Sequence, residues 1–88
     1  MRYMVIETFN DGAAATIYAR LEEKGRMMPE GLTYVDSWVS EDLSRCFQLM
    51  DTADPALFEP WIAAWADLGQ FEIVPVIAGR EAAEKAGR

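Results

Sequence analysis

The feature that most constrains this chain is a set of strand-like segments in which apolar residues follow one another without alternating. Tyr3, Met4, Val5 and Ile6 are consecutive within Tyr3–Phe9 (YMVIETF), a β-branched and aromatic stretch that reads as a strand. A strand with one wet face alternates apolar with polar side chains, because successive residues point to opposite faces. Arg45–Asp51 (RCFQLMD) lacks that alternation too, with Cys46, Phe47, Leu49 and Met50. So does Gln70–Ile77 (QFEIVPVI), with Phe71, Ile73, Val74, Val76 and Ile77. These strands read as covered on both faces.

Two segments carry the other period. Ala14, Ile17, Tyr18, Leu21, Gly25 and Met28 recur at three- and four-residue spacing, the stripe of an amphipathic helix. Asn10-Asp11-Gly12 is turn chemistry before it, with Asn10 or Asp11 as cap, and Pro29-Glu30-Gly31 ends it. Leu57, Phe58, Trp61, Ile62, Trp65 and Leu68 form a second stripe. Asp54-Pro55 is a helix-start signature. Pro60 implies an irregular first turn or a restart at Glu59-Pro60, and Gly69 closes the helix. Leu32–Ser40 (LTYVDSWVS) is a further strand, joined to Arg45–Asp51 by the polar turn Glu41–Ser44. Pro75 argues that the last strand lies at an edge or is locally interrupted.

The order β-α-β-β-α-β with short connections predicts an α+β, ferredoxin-like sandwich: a four-stranded antiparallel sheet with two helices on one face. Residues 1–78 make one domain and 79–88 a tail that is a frayed helix or none. Two helices cover one face of the sheet. The simplest cover for the other is the same surface of a second copy, a homodimer through the sheet face.

Size supports that expectation. A chain of 88 residues buries only ~60–65% of its unfolded surface, which leaves a monomer marginal. The single cysteine and the absence of histidine exclude an internal disulfide and a Cys/His metal site. With 15 acidic against 8 basic residues the net charge is -7, which disfavours nucleic acid. No apolar run is long enough to span a membrane, and the N-terminus reads as a strand rather than a signal peptide. A cytoplasmic protein without a cofactor is the expectation.

The stretches "YVDSWV", "RCFQLM", "DPALFEPWIAAWADL" and "FEIVPVI" resemble, in order and spacing, a group of short bacterial proteins known only as a domain of unknown function. The resemblance runs from Met4 to Ile77. That group is similar to the dimeric α+β barrel superfamily, which includes cofactor-free quinol monooxygenases, muconolactone isomerases and stress-responsive barrel proteins. The resemblance implies a face-to-face dimer and a pocket between sheet and helices. It carries over no catalytic residue.

Catalysis without histidine would fall to carboxylates, tyrosines, arginine or the lone thiol. Asp36, between Tyr34, Val35 and Trp38, is the candidate base, against the plainer expectation of a solvent-facing strand residue. Glu7 has the same two readings, with water favoured because it lies near a strand end. If Asp36 pairs with Gln48, then Trp38 pairs with Cys46 and Tyr34 with Met50, and all six share one face. A slip by one residue pairs Asp36 with Leu49 and dissolves the set. Trp61 and Trp65 are helix-to-sheet core or the walls of an aromatic pocket. Cys46 reads as a small buried hydrophobe, and Lys24-Gly25-Arg26 as a solvated helix end. The candidate ligand-binding residues are thus Tyr34, Trp38, Gln48, Trp61 and Trp65, for a small apolar or aromatic molecule held between sheet and helices. The alternatives are a cofactor-free oxygenase or isomerase and a non-catalytic assembly domain.

Overall fold

The computed structural model describes residues 1–87. Its elements are β1 (Arg2–Phe9), α1 (Ala14–Lys24), β2 (Thr33–Val39), β3 (Arg45–Asp51), a 3₁₀ turn (Pro55–Leu57), α2 (Phe58–Trp65), β4 (Gly69–Val76) and α3 (Gly79–Ala86). The strands form one antiparallel sheet in the order β2-β3-β1-β4. This is the ferredoxin-like α+β arrangement that the element order predicts. β4 is an edge strand, where the missing amide of Pro75 costs the sheet no interior bond.

Both helical stripes join one face of the sheet. Val5 and Met50 are fully buried there, packed with Ile17 of α1 and with Phe58, Trp61 and Trp65 of α2. Edge-to-face contacts run through this layer from Tyr3 to Phe58, on to Trp61 and then to Phe71, with ring centroids 5.3, 6.3 and 5.4 Å apart. The opposite face carries the alternate residues: Met4 and Ile6 of β1, Phe47 and Leu49 of β3, and Val74 of β4. Among the described residues, no helix is long and apolar enough to cross a membrane.

Several boundaries differ from the sequence-based expectation, each for a local reason. The first helix stops at Lys24, because Gly25 turns the chain with a positive φ of 67° and Met27 follows at 56°. Gly25 and Met28 are therefore outside the stripe. No side chain caps α1; Asn10 Nδ2 instead donates to the backbone oxygen of Asp67. Asp54 caps as expected, accepting from the Ala56 amide, but it caps a 3₁₀ turn. Pro60 then falls in the first turn of α2, where the amide it lacks would have had no partner within the helix. Gly69 begins β4 rather than closing α2. A Cβ there would stand 2.6 Å from the Thr8 backbone oxygen, so the close approach of β1 and β4 requires glycine. The tail forms α3, exposed throughout its described length.

Candidate functional site

The candidate site is a cavity of about 70 Å³ between the sheet and the two helices. β1 supplies Glu7 and Phe9 to it, β2 supplies Ser37 and Val39, and β3 supplies Cys46 and Gln48. α1 adds Ile17, Tyr18 and Leu21, the loop after α1 adds Arg26, and α2 adds Trp61 and Trp65. The cavity opens to solvent, and Tyr18 and Val39, 42% and 36% exposed, mark its mouth.

Strand alternation explains why polar groups point inward here. Val5 faces the core, so Glu7, two residues on, faces it as well. Glu7 pairs with Cys46 across β1–β3, and Val5 pairs with Gln48, which brings the carboxyl, the thiol and the amide onto one face. Glu7 is only 7% exposed and accepts a hydrogen bond from Gln48 Nε2 on its Oε1. Burial pushes its carboxyl up to about 7, against the lowering effects of the Gln48 bond and of the Arg26 charge. The expectation that Glu7 meets water is thus corrected. β1 continues to Phe9, and Ile17, Tyr18 and Leu21 of α1 line the same cavity as Glu7 and Phe9.

Arg26 lines the cavity from the loop after α1. Its guanidinium lies over the Tyr34 ring, with Cζ 3.6 Å from the ring centre. Its backbone oxygen accepts the indole N–H of both Trp61 and Trp65, at 3.1 and 3.0 Å. These tryptophans sit one turn apart on α2, so their N–H groups converge on one carbonyl. They are core residues, cavity walls and loop anchors together. The expectation of Lys24-Gly25-Arg26 as a solvated helix end is corrected for Arg26. The helix stop at Gly25 turns the next residue back toward the sheet, and that glycine was the available signal.

Cys46 is buried, as expected. Burial and the nearby Glu7 push its thiol up to about 11, which suits a small hydrophobe and not a nucleophile. Among the described residues, no group of His, Cys, Asp and Glu side chains is arranged to hold a metal ion.

The Asp36 constellation is divided by a β-bulge. Tyr34 pairs with Met50, but past an irregularity at Val35 the partners become Asp36–Leu49, Ser37–Gln48 and Trp38–Phe47. The extra residue switches the faces. Tyr34 and Ser37 therefore share the helix side, and their hydroxyls lie 2.6 Å apart, which residues three apart in a regular strand could not achieve. Asp36 and Trp38 point to the other face. The Asp36 carboxylate accepts from the Ser37 amide at 2.8 Å, and Trp38 is 53% exposed. Of the five candidate ligand-binding residues, Gln48, Trp61 and Trp65 line the cavity, Tyr34 backs it through Arg26, and Trp38 lies outside it.

No curated protein and no solved structure matches the chain. A family model matches all of residues 1–88. The chain belongs to that family, the domain of unknown function DUF3303.

Proposed function

We propose that this protein binds a small apolar or aromatic molecule in the cavity between sheet and helices, with Glu7 and Gln48 meeting the polar end of the ligand. The observation that carries this is the carboxyl–amide pair buried beside Trp61 and Trp65. Burying a carboxyl is costly, and an apolar pair at the same two positions would stabilise the fold at least as well. The cavity is about half the ~150 Å³ that encloses a benzene molecule. It therefore takes one end of a ligand, and the remainder extends past Tyr18. A thermal-shift screen with quinols, lactones and aromatic acids tests the proposal. At least one class should raise Tm, and replacing Trp65 by Ala should abolish the shift. No shift with any class would leave the assembly-domain alternative.

A second reading is catalytic, as a cofactor-free isomerase or oxygenase. The carboxyl of Glu7, held near neutrality, suits a group that takes and returns a proton. Asp36, on the opposite face, gives way to Glu7 in this role. Turnover that survives Glu7→Gln unchanged would remove it.

We also propose that a second copy covers the open sheet face. The support is its apolar centre, where Met4 pairs with Leu49 and Val74, and Phe47 pairs with Ile6 and Trp38. Light scattering after gel filtration should give twice the 9.9 kDa chain mass.

A further inference from the structure

We infer that the cavity takes the carboxylate of an otherwise apolar monoanion, and that Arg26 reads its charge. This rests on the small-molecule reading above and names the ligand class.

Arg26 Nε is buried and has no hydrogen-bond partner, the one such side-chain nitrogen or oxygen among the described residues. A guanidinium stays charged, and a buried donor left unmade is costly. Stacking on Tyr34 covers one face of the group and leaves its in-plane N–H donors unaddressed. Among the described residues, no carboxylate forms an ion pair with it within 4.0 Å, Glu7 included. A ligand carboxylate is planar, accepts in that plane and matches the fork of donors. At about 70 Å³ the cavity has room for such a head group and its first carbon.

Glu7 sets the condition for entry. An ionised Glu7 would repel a second carboxylate, whereas a protonated one can donate to it. Gln48 donates to Oε1, which leaves Oε2 to carry the proton. The titratable groups facing Glu7 are Tyr18 of α1 and Cys46 of β3, both raised by burial and so neutral at pH 6–8, and Arg26, always positive. Ser37, Gln48, Phe71, Trp61 and Trp65, from the remaining strands and α2, do not titrate. Glu7 alone changes charge in this range, and above its own pKa a carboxylate enters together with one proton.

The test is calorimetric titration of the whole protein with benzoate, benzamide and benzyl alcohol at pH 6 and pH 8. Benzoate should bind at least tenfold more tightly than its neutral analogues at pH 6. It should lose roughly tenfold by pH 8, as Glu7 passes from mostly protonated to mostly ionised. Buffers of different ionisation enthalpy should show proton uptake at pH 8. Arg26→Gln should remove the preference for benzoate. It spares the backbone carbonyl that anchors Trp61 and Trp65, and thermal melting checks that it folds. Arg26→Lys, which keeps the charge without the planar fork, should lose less. Glu7→Gln should keep benzoate binding and abolish its pH dependence. Equal binding of benzoate and benzamide, or an unchanged preference in Arg26→Gln, overturns the inference and leaves the pocket standing. Binding of none of the three compounds overturns both.

Discussion

The two faces of the sheet reverse the usual division between inside and outside. The face under the helices holds a carboxyl, an amide and a thiol in the adjacent pairs Glu7–Cys46 and Val5–Gln48. The open face has an apolar centre on β1 and β3, Met4, Ile6, Phe47 and Leu49, flanked by Asp36 beside Leu49, Glu72 beside Ile6, the Arg2–Asp51 ion pair and Arg45 over Phe47. Apolar surface accounts for stability on either face. The polar groups on the covered face are what stability does not account for, and they direct attention to the cavity.

Two tryptophans give the sharpest way to break that comparison. Trp61 is 2% exposed and Trp38 is 53% exposed. Trp61→Ala should cost about 3–5 kcal/mol in urea unfolding, the range for truncating a buried aromatic. Within a single chain Trp38→Ala is a surface change and should cost under ~1 kcal/mol, measured in the Leu49→Lys background that removes any second copy. Equal losses in that background would mean that the open face is closed within one chain.

Next in size is the effect of pH. The folded-state pKa of Glu7, about 7, lies above the value of 4.5 usual for the group. The native state therefore holds a proton that the unfolded chain releases. The stability contribution of Glu7 is fully present below about pH 4.5 and is lost as pH rises through 7. The total is roughly 3 kcal/mol. The difference in unfolding free energy between wild type and Glu7→Gln, followed from pH 4 to 9, should move by about that amount in favour of the variant. A flat difference would place Glu7 in water.

A smaller effect sharpens the other side. Leu49→Lys puts a charge at the centre of the open face and should halve the sedimenting mass while leaving ligand shifts intact. An unchanged mass would leave that face without a second copy. Asp36→Asn should change least, within ~0.5 kcal/mol and with no loss of ligand binding, because its carboxylate bonds only the adjacent Ser37 amide. A large loss would mean that the bulge does not hold in solution.

The architecture was legible because it follows from periodicity. Two helical stripes and four short strands admit few arrangements, and the ferredoxin-like sandwich was among them. The ends were less legible, because close contacts decide them: Gly69 closes on Thr8, not on its own helix. Gln48, Trp61 and Trp65 could be placed from their elements. Asp36 could not, because the bulge at Val35 uses no glycine or proline and left no mark in composition. Glu7 was legible from Val5 by counting two residues. It was discounted only on the assumption that β1 ends in water, which the packing of α1 overrides.

The carbonyl shared by Trp61 and Trp65 has an optical consequence. Two of the three indoles are tied to the backbone of the residue proposed to read the ligand, and the third, Trp38, stands outside on the other face. Whatever strains the loop at Arg26 alters the field at two buried fluorophores and leaves the exposed one unchanged. With Trp38 replaced by Phe, intrinsic emission becomes a signal from the cavity alone, and the protein carries its own probe of occupancy.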